Sequence, residues 1–231
     1  MRLIALVPVR AGSRGLPGKN LAPLAGVPLW RRAADQGAAL GAEVVVSTDI
    51  PEILGLPPQA GLRILPRPAA LAGDDVPMDP VIAHALEALP GPARVVLLQA
   101  TSPLRSLSDI AAALEMFDAG GWDLVMTVTA ADPGVLKWGR LEGGRFRPLG
   151  DPAHPFANRQ ALPPVWRPNG AVYVFDADGF RTRGRLVGPR IGAVPMPAAR
   201  SADIDDVADF ARAEAALISG SQISGSHSDP G

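Results

Sequence analysis

The chain predicts a three-layer α/β fold with a mostly parallel sheet, and three observations carry that prediction. Short continuous apolar runs recur at Leu3–Val9, Glu43–Ser47, Leu62–Leu65, Arg94–Leu98 and Leu124–Thr129, the pattern of strands buried on both faces. Helix-length segments with start and stop signals lie between them, and such βαβα alternation places helices on both sides of a parallel sheet. The 231 residues are 47% hydrophobic, enough for one compact domain.

The elements follow in order. Leu3–Val9 runs into Pro8, Val9, Arg10 and a Gly-rich loop with no small-residue cleavage site, so it is a first strand rather than a signal peptide. A helix over Leu29–Leu40 follows Pro28, a good first-turn residue. A second spans Pro80–Leu89 and stops at Pro90. A third, Ser108–Ala119, opens on a cap-type Ser and ends at Gly120-Gly121. Past Ala130 the rhythm changes. Val135–Leu149 has a hairpin pattern around Gly143-Gly144, Asp151–Pro168 is Pro-rich and irregular, Ala171–Phe175 is again a strand, and Asp205–Ile218 is a final helix. One domain over residues 1–218 is expected, with a Ser/Gly-rich, disordered tail at 219–231.

Composition excludes several functions. Lys and Arg total 22 against 23 Asp and Glu, a net charge of -1, so a globally basic surface for nucleic acid is absent. With no cysteine, disulfides and thiolate-held zinc are ruled out. The His are His84, His154 and His227; His84 suits helix packing, and none of them makes a metal cluster. No apolar run approaches the roughly 20 residues of a membrane span. A cytoplasmic protein is expected.

The chemistry concentrates in a few places. Directly after the first strand, Arg10-Ala11-Gly12-Ser13-Arg14-Gly15-Leu16-Pro17-Gly18-Lys19-Asn20 combines glycines that let backbone N–H groups face a ligand with the fixed charges of Arg10, Arg14 and Lys19. That suits a polyphosphate, yet it is neither the Walker pattern nor the dinucleotide fingerprint. Gln99-Ala100-Thr101-Ser102-Pro103-Leu104-Arg105 ends a central strand, where α/β sheets place ligands; a strand-to-helix turn capped by Ser102 is the plainer reading. Asp203 and Asp205, at i and i+2 on an extended segment, point to one side and offer magnesium hard oxygen ligands; helix capping by Asp205 or Asp206 is an equal reading. Arg67, between two prolines, reads alone as a solvated loop residue. Arg159, Arg167 and Lys137 form a second cationic group, and Arg is the preferred partner of a carboxylate; surface charge is the alternative, with Tyr173 a half-buried strand residue.

The segment VPVRAGSRGLPGKNL resembles the N-terminal signature of the acylneuraminate cytidylyltransferases, the CMP-sialic acid synthetases. RPAALAGDD, LLQATSPLR, RQALPPVWRPNGAVY and SADIDD resemble further segments of that family in the same order, so the likeness runs from Leu3 to about Leu217. Two departures stand out: Ala100 where Pro is usual, and Asp75-Val76-Pro77-Met78-Asp79 in place of a Ser/Thr-rich stretch near the base. The resemblance implies a Rossmann-like nucleotidyltransferase fold, with residues from about 131 to 168 as a dimerisation arm, and transfer of CMP from CTP to the anomeric hydroxyl of a sialic-acid-type sugar. It implies nucleotide contacts at Arg10, Ser13, Arg14, Lys19, Asn20 and Arg67, and magnesium on Asp203 and Asp205. Sugar-acid contacts fall at Gln99, Lys137, Arg159, Arg167, Asn169 and Tyr173. Arg10, Lys19, Gln99 and the two aspartates would carry catalysis. A lone hairpin is marginal in water, so the arm should pack on a partner subunit in a homodimer. A synthetase for the eight-carbon acid Kdo and a non-catalytic nucleotide-binding protein are the rival readings.

Overall fold

The computed structural model describes residues 1–12 and 15–225, with side chains to residue 219. Its strands are β1 (Arg2–Pro8), β2 (Pro23–Leu24), β3 (Val27–Pro28), β4 (Glu43–Thr48), β5 (Leu62–Pro66), β6 (Ala93–Leu98), β7 (Leu124–Ala131), β8 (Gly139–Glu142), β9 (Arg145–Pro148), β10 (Val165–Asp176) and β11 (Ile191–Pro195). Its α-helices are α1 (Leu29–Ala39), α2 (Pro51–Leu54), α3 (Met78–Glu87), α4 (Leu107–Asp118), α5 (Ala177–Arg183) and α6 (Val207–Gly225). The five predicted apolar runs all appear as strands. They lie in one seven-stranded sheet of order β11-β7-β10-β6-β1-β4-β5, in which only β10 runs antiparallel to its neighbours.

The runs are apolar throughout because each strand feeds two cores. Ala5 and Val7 of β1, Val44 and Val46 of β4 and Val96 and Leu98 of β6 pack on one face with α1 and α4. Ile4, Leu6, Val45, Val95 and Leu97 pack on the other with α3 and α5. Alternation at period two thus gives the three expected layers.

Some boundaries differ from expectation. α4 starts earlier than the Ser108 signal suggests, because Ser106 and Asp109 form a reciprocal capping box. In the arm, Pro133–Lys137 is a 3-10 helix begun by Asp132, whose side chain accepts from Gly134 N–H. The hairpin is therefore β8–β9, turning on Gly143 and Gly144 with φ 55° and 79°, the left-handed values a two-residue hairpin turn requires. The last helix runs on through Gly225, into the stretch expected to be a tail; residues 226–231 lie outside the described residues.

β10 does the most to position the site. It leaves the arm paired with β7 at Val165–Pro168, and its register shifts before Tyr173; from Val172 it pairs with β6. Bulges of this kind re-aim side chains next to functional sites, and Asn169-Gly170-Ala171 fill the shift.

Candidate active site

β1, β4 and β6 are parallel, so their carboxyl ends open on one side, where α/β sheets bind ligands. A cleft of about 470 Å³ lies there, lined by Arg10, Lys19, Asn20, Arg67, Gln99 and Asp205 among others. The described ends of the Gly-rich loop are tied to their surroundings. The buried Asn20 amide donates to the Arg10 carbonyl at 2.9 Å, Ala11 N–H donates to Asp49 Oδ1 at 2.8 Å, and Gly15 runs so close to the Asp205 carbonyl that a Cβ there would collide with it. Ser13 and Arg14 lie outside the described residues.

Each described cation of the cleft has a partner within the chain. Arg10 pairs with Asp74 at 2.5 Å and donates to the Ala72 carbonyl at 3.3 Å. Lys19 Nζ donates to the Ile204 carbonyl at 2.6 Å and reaches Asp205 Oδ1 at 3.3 Å. Arg67 is buried rather than solvated, bonded to Ser47 Oγ at 3.2 Å and Ser47 O at 2.8 Å. Burial pushes its guanidinium down to about 10; Asp49 works against that shift and Arg10 adds to it. It remains a cation at neutral pH.

The acid pair is anchored between its members. Ile204 is buried, and its N–H donates to the Thr101 carbonyl at 2.8 Å. Asp205 borders the cleft and also an adjoining hollow of about 530 Å³, which Asp203, Arg167, Asp209 and Arg212 share. Although Asp203 is accessible, crowding by the chain raises its carboxyl above the usual range. The Thr101 hydroxyl bond opposes that rise, Asp205 adds to it, and Lys19 opposes it more weakly. Tyr173 is raised by burial and by the charge of Asp203; it lines neither the cleft nor the hollow. Asp206 and Asp209 cap α6: Asp209 Oδ2 accepts from the N–H of Asp205 at 3.0 Å and of Asp206 at 3.1 Å, and Asp206 Oδ1 accepts from Asp209 N–H at 2.8 Å. Among the described residues no group of three or more His, Cys, Asp or Glu could hold a metal ion. Two exposed carboxylates beside a cation-lined cleft are the hard oxygen donors that suit magnesium, which is commonly held by one or two carboxylates plus substrate phosphates.

The expected sugar-acid residues separate. Arg167 faces the hollow and also a groove formed with Trp138 and Trp166. Asn169 is buried: its Oδ1 accepts from Thr127 Oγ1 at 2.7 Å and its Nδ2 donates to Ser201 Oγ at 2.9 Å, so its amide braces β10 from beneath instead of facing the cleft. Gly170 has φ 76°, and a Cβ there would lie 3.2 Å from Gln99 Oε1, so a side chain at 170 would press on Gln99. Lys137 and Arg159 stay in the arm and line neither the cleft nor the hollow; Arg159 pairs with Asp132 at 3.0 Å. Asp49 escaped the sequence reading, although it follows the end of β4, a position that could have flagged it; Thr101 and Asp74 lay within the quoted segments LLQATSPLR and RPAALAGDD without a role of their own.

The cytidylyltransferase family model matches residues 4–134. The N-acylneuraminate cytidylyltransferase of Streptococcus agalactiae serotype III (strain NEM316) is 28% identical over 216 residues, covering 91% of this chain and 52% of that protein; the chain thus spans about half its length. The CMP-N,N'-diacetyllegionaminic acid synthase of Legionella pneumophila subsp. pneumophila (strain Philadelphia 1) is 32% identical over 195 residues, with 77% and 79% of the two chains covered. The solved structure of CMP:2-keto-3-deoxy-manno-octonic acid synthetase complexed with CTP aligns with TM-score 0.67 at 18% identity, covering 95% of this chain and 100% of that one, a likeness of fold. On the family match and the Legionella relative, this chain belongs to the cytidylyltransferase family.

Proposed function

We propose that the chain transfers CMP from CTP to the anomeric hydroxyl of an acidic nine-carbon sugar of the sialic-acid type, releasing pyrophosphate. One observation carries this reading. Asp205 borders both a cation-lined cleft and a separate hollow containing Arg167, so two anionic substrates can meet at the acid pair. The streptococcal and Legionella relatives, by their names, handle sugar acids of this type.

Arg10 and Lys19 hold the triphosphate, with Ser13 and Arg14 of the same loop, after Arg10 exchanges Asp74 for phosphate. Asn20 supports the loop and Arg67 steadies the nucleotide. The sugar hydroxyl attacks the α-phosphorus as the bond to the β-phosphate oxygen breaks, a transfer governed by positioning and charge neutralisation. Asp203 and Asp205 would hold magnesium, which when bound neutralises charge on the phosphates. Gln99 and Tyr173 lie beside the acceptor, and Arg167 grips its carboxylate through two parallel N–H bonds, with Asn169 fixing the strand beneath. Lys137 and Arg159 reach a neighbour's hollow when two copies pair through their arms. The reaction belongs in the cytoplasm, where CTP is made.

Pyrophosphate release from CTP and magnesium, measured against sialic, legionaminic and pseudaminic acids with Kdo beside them, tests the reading. Turnover with a nine-carbon acid is expected. Turnover with Kdo alone moves the chain to the synthetase named by its structural neighbour, and silence with all four acids overturns the proposal.

A further inference from the structure

We propose that Arg105 is a positioning residue of the active site: its buried guanidinium sets the Gln99–Ser102 turn and, through Thr101, the acid pair. The kinetic part of this inference rests on the cytidylyltransferase reading; the structural part does not.

Arg105 is 3% exposed and makes its bonds to carbonyls. Its Nη1 donates to Gln99 O at 2.6 Å, Ser102 O at 3.1 Å and Ala171 O at 3.2 Å. Two of these flank Thr101, and the third lies on β10 just past Gly170. No carboxylate pairs with Arg105 among the described residues, and its Nε has no partner. Burial pushes the group down to about 9. Burying a charge without an acid partner is costly, and an apolar side chain would fill this place at less cost if packing were all it supplied.

What the guanidinium holds explains its presence. Thr101 O accepts at 2.8 Å from the N–H of Ile204, the residue between Asp203 and Asp205. Arg105 therefore fixes one segment whose outer side carries Gln99 and whose middle residue suspends Asp203 and Asp205. By its bond to Ala171 it locks that segment to the bulge of β10, which carries Arg167 and Asn169. A single guanidinium nitrogen, Nη1, thus ties the turn between the nucleotide cleft and the acceptor hollow to β10. Lysine keeps the charge but carries it as a rotating ammonium on a flexible stem instead of a rigid planar group.

The test compares Arg105→Lys, Arg105→Gln and Arg105→Met with the wild type by hydrogen exchange of the segment containing Ile204, by calorimetry of CTP binding and by steady-state kinetics. Arg105→Lys should speed exchange around Ile204 while β1 and β4 keep their protection. It should lower kcat roughly 10–100-fold, the cost of misplaced reacting groups, and leave CTP affinity unchanged. Unchanged exchange at Ile204 in Arg105→Lys, or a uniform rise in exchange across the sheet, would each overturn the inference. Should Arg105→Met not fold, Arg105→Lys and Arg105→Gln, which keep a donor in the same place, must still speed Ile204 exchange; if neither does, the link is refuted. A wild type inert toward every acid sinks the functional reading and leaves exchange to decide this one.

Discussion

The cation-lined cleft and the arm treat their polar and apolar groups in opposite ways. In the cleft every described cation is already engaged: Arg10 with Asp74, Lys19 with Ile204 and Asp205, Arg67 with Ser47. In the arm the apolar groups stand in solvent, Phe156 at 89% exposure, Leu141 at 76% and Trp138 at 63%, and Arg159 has only an exposed partner in Asp132. An exposed apolar patch of this kind marks an interaction surface. The described cations of the cleft are thus satisfied within the chain, whereas the arm's apolar side chains are left uncovered by it.

Four measurements break or sharpen that contrast. The largest effect belongs to the junction of the two regions. Asp203→Asn and Asp205→Asn should each lower turnover about 10²–10³-fold, with partial rescue by added magnesium. Near-normal turnover at limiting magnesium would remove the acid pair from the mechanism. Next comes the arm itself. Trp138→Asp combined with Phe156→Asp should give a monomer in light scattering that still binds CTP in calorimetry and has lost turnover. An active monomer would make the arm dispensable and erase the contrast.

A smaller, more selective change is expected at Arg167. Arg167→Lys should raise the KM for the sugar acid by about one to two decades, the value of a charge-assisted bond near 1.5–3 kcal/mol, and leave the KM for CTP in place. A shift in the CTP constant instead would assign Arg167 to the nucleotide side. The smallest effect lies in the core. Asp109 would be raised by burial, but hydrogen bonds from Arg200 and Ser106 hold it below the ordinary value of 3.8. A depressed carboxyl contributes stability that is present above its unfolded pKa and lost as pH falls through the folded one. Asp109→Asn should thus cost about 1–2 kcal/mol at neutral pH, Arg200 being partly solvated. The gap in Tm to the wild type should close as pH drops below 3.8. A gap that persists at low pH would show that the carboxylate charge is not what stabilises the pair.

Legibility in the sequence followed the same division. The strands were readable because burial on both faces leaves no polar residue in Ile4–Val7 or Val95–Leu98, and the phosphate loop because glycines and cations sit together. Arg67 was misread alone, since nothing local announces that Ser47, twenty residues away, will receive it. Asn169, expected as a sugar-acid contact, is turned inward by the bulge of β10, which no local signal announces. Arg105 looked like the end of a turn because its partners are carbonyls, which every residue possesses. The hairpin was legible from Gly143-Gly144, but the 3-10 turn before it was not, because it depends on Asp132 closing on Gly134.

The reversed course of β10 has one more consequence. The arm departs where β7 ends, at Ala131, and rejoins the sheet at Val165, its direct cross-strand partner. Departure and return thus share a single rung of the ladder, as in an oversized hairpin loop. Lengthening, shortening or exchanging the whole excursion leaves the rungs below it in place, because loop length costs little closure entropy. The arm is thereby a replaceable cartridge on a fixed chassis. A chimera carrying another family member's arm between Ala131 and Val165 should retain the cleft and take on that arm's exposed surface.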